Sequence, residues 1–227
     1  LPFTVYFEND PELAQVPAQE VVITDRLSPN LDWATFEPVA VGFNNEVITI
    51  PPGHPDFLAT ASVSTDPHVV EIRISLDRET GIATWRMRSL GSSPDCLPED
   101  PFAGFLPPND ETRRGEGFVS CTIRAKPGLT HGAEIRNTAT IVFDVNAPLE
   151  TNATLHTVDA GAPTSAVQAV RKTGDGRQIR IDITGDDGTG AGVERFEVFG
   201  DSQKSRSLLN SGPGASVVLN GVWGREY

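Results

Sequence analysis

Residues 141–152 read IVFDVNAPLETN. The stretch opens as a strand, because Ile141, Val142 and Phe143 are apolar and β-prone. Oxygen-bearing side chains then arrive together: Asp144, Asn146, Glu150 and Asn152, interrupted by Pro148. Proline has no N–H to give a sheet ladder, so the paired strand is expected to stop before it. Two readings follow for the polar cluster. Its members are turn formers that bind the backbone, or they hold a cation. On an extended chain Asp144 and Asn146, two residues apart, point the same way.

Working outward, the same strand-and-turn grammar fills the chain. The 18 prolines and 21 glycines leave no long helical period intact. One weak helical candidate, DPELAQVPAQ (10–19), is broken by Pro17. Strand-like segments recur instead: FTVYFEN, AQEVVITDRL, ATFEPVAVGF, NEVITIP, FLATASVS, HVVEIRISLD, IATWRMRSL, EGFVSCTIRAK, AEIRNTATIVFD and ATLHTVDA. LDRETGIATW (76–85) reads as a hairpin with RETG at its turn. Many short strands at this spacing predict an all-β chain built as a β-sandwich. The small, polar stretch TVDAGAPTS (157–165) reads as a linker. Beyond it a second set follows: SAVQAVRK, RQIRIDITGDD, VERFEVFGD and ASVVLNGVWGREY. The expected organisation is two tandem immunoglobulin-like sandwiches, 1–158 and 159–227. An immunoglobulin-type domain takes about 100 residues, so the second is expected to be incomplete at its C-terminus. The strand-like opening LPFTVYF suggests a piece of a longer chain.

The net charge is -13, from 31 acidic and 18 basic residues, only three of them lysine. Neutralising phosphates needs a basic surface, so nucleic acid is excluded as a partner. No apolar run approaches the ~20 residues of a membrane-spanning helix. Catalytic signatures are missing too: there is no G-x-S-x-G, no H-E-x-x-H and no phosphate-binding glycine loop. His54, His68, His131 and His156 read as surface residues, so no enzyme is expected. Acidic oxygens are the positive signal. Calcium gathers about 6–8 of them from carboxylates, amides and carbonyls. Candidate ligands lie in FENDPE (Asp10, with Glu8, Asn9 and Glu12), in TDRLSPNLDW (Asp25, with Asn30 and Asp32), in the opening stretch (Asp144 and Asn146) and in GDDGTG (Asp186 and Asp187). Each loop also reads as an ordinary turn.

Cys96 and Cys121 fit no zinc spacing. They are expected to form a disulfide pinning the 91–117 loop to FVSCTIR, with two unrelated buried thiols or a catalytic thiol as the alternatives. A lysine–asparagine crosslink within the core needs a lysine facing an asparagine beside an acid, and the first strand has no lysine.

The segments LPFTVYFEND, PAQEVVITDRLSPNLDWATF, GFLPPN, GEGFVSCTIR and IRNTATIVFDVNAPLETN together resemble a conserved repeat domain of large bacterial surface and secreted proteins, over about residues 1–157. DAGAPTS followed by ITGDDGTGAGVERFEVFGD is similar to a fibronectin type III module. The resemblance implies an extracellular or cell-surface β-sandwich in a multidomain array, with no shared active site. The expected function is a structural or adhesive module whose partners are neighbouring domains, other surface proteins or glycans. The alternatives are a carbohydrate- or substrate-binding accessory domain of a secreted enzyme, or a filament subunit. Trp33 and Trp85 alternate with polar neighbours like core residues, which favours the structural reading over a sugar site.

Overall fold

A computed structural model describes residues 1–64, 66–93, 96–174, 176–202, 205–212 and 216–220. The chain is all-β: 56% of it is strand, the sheets are antiparallel and, among the described residues, no barrel closes. Its contacts divide it into two units, Leu1–Leu129 with Glu134–Thr157, and Thr130–Ala133 with Val158–Tyr227.

The first unit contains β1 (Pro2–Glu8), β2 (Glu20–Arg26), β3 (Leu31–Phe43), β4 (Glu46–Thr49), β5 (Phe57–Val63), β6 (Asp66–Asp77), β7 (Ile82–Ser89), β8 (Glu116–Ala125), β9 (Glu134–Asn137), β10 (Ala139–Phe143), β11 (Leu149–Glu150) and β12 (Thr154–Thr157). One sheet has the order β1-β8-β3-β4 and the other β11-β10-β2-β7-β6-β5, while β12 pairs with β9. Period-2 alternation decides which face is buried. Val21 and Ile23 on β2, Ile72 and Ile74 on β6, Trp85 and Met87 on β7, and Val119 and Ile123 on β8 are all buried. The sheets meet through aromatic edges: Phe7 lies 6.2 Å from Phe143, and Phe36 lies 5.8 Å from Trp85, centroid to centroid. Each such side chain removed from water stabilises the fold by about 1.5–3 kcal/mol.

Punctuation works as predicted at the β6–β7 hairpin. Gly81 there has φ +71, and a Cβ on it would run into the Trp33 ring. Residues 10–19 form no helix: Asp10 instead accepts backbone bonds from Leu13 and Ala14 at 3.1 and 2.7 Å, making a turn. Trp85 is core, as read, whereas Trp33 is only half-buried, with Lys126 Nζ 5.8 Å from its ring.

The second unit has a sheet of β13 (Thr164–Thr173), β14 (Gln178–Asp186) and β17 (Ser216–Asn220), and a hairpin of β15 (Phe196–Ser202) and β16 (Ser205–Gly212). Strand β16, rich in Ser, Arg and Asn, carries no alternation to read and is drawn into a strand by pairing with β15. Among the described residues Ile183 and Val217 are the buried hydrophobics of this unit. Between sheet and hairpin lies a groove of about 430 Å³ lined by Val167, Val170, Ile181 and Phe196.

Candidate functional sites

The opening stretch becomes β10, a loop and β11, and Asp144 ends the strand. Its φ of +50 takes it out of the extended region, so the two-residue rule that would aim it alongside Asn146 no longer applies. Asp144 Oδ1 accepts the backbone N–H of Gln19 at 2.9 Å and of Glu20 at 2.8 Å, clasping the start of β2. Partial burial holds its carboxyl above the ordinary value, against those two bonds, which lower it. Asn146 lies exposed in the turn, its N–H on the Phe143 carbonyl. The geometry is that of the turn alternative for both residues.

The other predicted oxygen loops also disperse. Asp10 Oδ1 accepts from the Glu12 N–H at 2.9 Å, and Asn9, buried, donates to the carbonyls of Val16 and Leu106. Asn30 donates to the Glu134 carbonyl, and Asp32 accepts from Ala34. Asp25 is not in that loop at all. It stands on β2 in the core, 1% exposed, and accepts a 2.5 Å bond from Asn137 Nδ2. Burial pushes its carboxyl up to about 6, with the Asn137 bond working the other way. The sequence carried the signal: Val21, Ile23 and Asp25 share one strand face, as do Ile135 and Asn137. An acid beside an asparagine in the core is two thirds of the lysine–asparagine crosslink arrangement, without the amine.

The predicted Cys96–Cys121 bridge is not formed. Cys96 is exposed in the loop after β7, where its carbonyl accepts from Gly91. Cys121 faces the core from β8, in register with Phe3 and Pro38. Burial, and then the Asp25 charge, push the Cys121 thiol up to about 12.

In the second unit Asp186 and Asp187 cap their own turn: Asp186 Oδ1 accepts from Gly188, and Asp187 Oδ2 from Gly192. Sequence reading missed the network beside them. His131 places Nδ1 3.2 Å from Asp159 and Nε2 3.0 Å from the Thr189 hydroxyl. Asp159 in turn accepts from Ala191 and Gly161, bonds that hold its carboxyl below the ordinary range. Hydroxyl, imidazole and carboxylate stand in the order of a nucleophilic relay. The hydroxyl is secondary, however, and the nearby N–H groups of Ala191 and Gly192 already bind Asp159 and Asp187, so they are engaged rather than free to hold an oxyanion. This network ties a loop. Among the described residues no group of three or more His, Cys, Asp and Glu is spaced to hold a metal.

A further feature lies on the outer face of the β1-β8-β3-β4 sheet. Tyr6, 75% exposed, pairs in register with Phe118, whose ring lies against Gly42 on β3. The hydroxyl residues Thr4 and Ser120 form the next row.

Residues 103–157, from the loop before β8 through β12, match a family described as Domain of unknown function (DUF7619). No curated protein matches the sequence. Among solved structures the chain is similar to ACE19, the collagen binding subdomain of the Enterococcus faecalis surface protein ACE. That match is 12% identical with a TM-score of 0.30 and covers 69% of this chain and 83% of that one. At that level of overlap, function is read from this chain's own geometry.

Proposed function

We propose that the chain is a non-enzymatic structural and adhesive module of a larger bacterial surface or secreted protein, built from a repeat-type sandwich followed by a fibronectin-like unit. The observation that carries this is how the chemically capable side chains are engaged. Asn9, Asp159 and His131 tie loops to one another, Asp144 ties its loop to the start of β2, and Asp66 holds His68 and Ser89. Such a molecule is organised to keep its shape.

A glycan-binding accessory domain is the second reading, and Tyr6 is what favours it. An exposed aromatic ring beside a row of hydroxyls offers a stacking face and hydrogen bonds to a neutral sugar. Adhesion is tested by coating the purified chain on beads and measuring capture on immobilised polysaccharides and extracellular matrix proteins. Saturable capture is expected. Loss of polysaccharide capture in Tyr6→Ala, with the melting temperature unchanged, selects the glycan reading. Absence of capture on every surface contradicts an adhesive role and leaves a spacer.

A further inference from the structure

The core of the first unit contains two polar atoms in want of a proton. Asp25 is 1% exposed and Asn137 is 7% exposed. Asn137 Nδ2 donates to Asp25 Oδ2 at 2.5 Å. Their other oxygens, Asp25 Oδ1 and Asn137 Oδ1, are both buried and neither has a hydrogen-bond partner. Leaving two acceptors unpaired in the core is costly, and leaving a whole carboxylate charge there costs more.

An ionised carboxylate is an acceptor only, whereas a carboxylic acid has one O–H to give. A single proton on Asp25 Oδ1 removes the buried charge, supplies the missing donor and gives the Asn137 oxygen a partner. Acid and primary amide then close a ring of two hydrogen bonds, N–H to Oδ2 and O–H to the amide oxygen. Among the described residues no opposite charge acts on it: burial and the Asn137 bond alone set its pKa. In register beside Asp25 stand Ala83 on β7 and Ala139 on β10. From β8, the buried Cys121 thiol is the titratable group that feels its charge. Arg26, next along β2, is exposed.

We infer that in mildly acidic surroundings Asp25 is a carboxylic acid in the folded protein, locked to Asn137 by two hydrogen bonds, and that this pair is a pH-sensitive lock joining β2 to β9. Losing the proton breaks one bond and sets a charge in the core, so the sandwich is tighter in mildly acidic surroundings than in alkaline ones. This inference goes beyond the proposed function and does not depend on it.

Two measurements test it. The first follows the Asp25 side-chain carbon of the ¹³C-labelled chain by NMR through a pH titration. A midpoint near 6 is expected, and one at about 4 or below, the range of an ordinary aspartate, overturns the lock. The second compares urea unfolding of wild type and Asp25→Asn, whose amide can form the same ring without ionising. Wild type is expected to lose up to tenfold in folding constant per pH unit relative to the variant between about pH 4 and the midpoint, the slope of one proton, and to run parallel to the variant above it. At about pH 8 the variant is expected to match or exceed wild type. A variant tenfold less stable than wild type at that pH means that the carboxylate is wanted, and overturns the inference. Should Asp25→Asn fail to fold, the NMR midpoint decides alone.

Discussion

Asp144 binds two backbone N–H groups with one oxygen, from a left-handed conformation that a non-glycine residue rarely takes. Charge-assisted bonds of this kind are worth about 1.5–3 kcal/mol each where buried, less at a half-exposed site. Asp144→Ala removes both and keeps the strained φ, so a loss of about 2–3 kcal/mol in urea unfolding is expected. Asp144→Gly relieves the φ and is expected to lose less. Equal losses would show that backbone strain contributes nothing. The cysteines give a second check at this scale. Cys121, its thiol pushed up to about 12 and buried, stays protonated at neutral pH, while Cys96 is exposed. One thiol is expected to react quickly with an aromatic disulfide reagent under native conditions and the second only on unfolding. Two unreactive thiols that appear after reduction would restore the bridge. At the level of single residues the sequence was read well for apolar positions and poorly for acids. Asp25 reads as a loop oxygen because carboxylates are seldom core residues, although its spacing from Val21 and Ile23 puts it on their buried face.

At the scale of elements, alternation and turn residues made most strands legible. The hairpin predicted over 76–85 is the β6–β7 connection, with Gly81 at φ +71 beneath Trp33. Ala at this position has both an unfavourable φ and a ring in its way. Gly81→Ala is expected to cost at least about 1 kcal/mol, read as a lowered melting temperature. An unchanged melting temperature would mean that Trp33 is free to swing aside. What alternation could not show was a strand defined by its partner. β16 has no apolar period and exists through its pairing with β15. Nor could spacing show that Asp144 leaves the extended region, which separates it from Asn146.

At the scale of the whole molecule, acid and base act on different groups. A folded-state pKa raised above its unfolded value gives stability that is full below the unfolded value, near 4, and is lost as pH rises through the folded one. Asp25, at about 6, works in that direction, and Asp144 is shifted the same way. Asp77, Asp110, Asp159, Asp182 and Glu116 are held below their ordinary values, so their contribution is lost only as pH falls below about 4. Stability is therefore expected to be greatest near pH 4, to fall below it and between about pH 4 and 6, and to level off above, measured as the urea midpoint across the range. A maximum at alkaline pH would contradict the assignment of Asp25. Calcium remains a proposal for the acidic turns read from the sequence, Asp186 and Asp187 of the second unit among them. Melting in calcium and then in chelator tests it: a higher midpoint with calcium is expected, and identical midpoints would remove the cation.

The central claim is that this molecule holds its shape outside the cell as part of a larger surface or secreted protein. The most direct test is brief protease treatment of intact producing bacteria, with mass spectrometry of the peptides released and of the culture medium. The account predicts peptides from both units in those fractions, without cytoplasmic proteins beside them. Peptides of residues 1–227 recovered only after the cells are broken would contradict it.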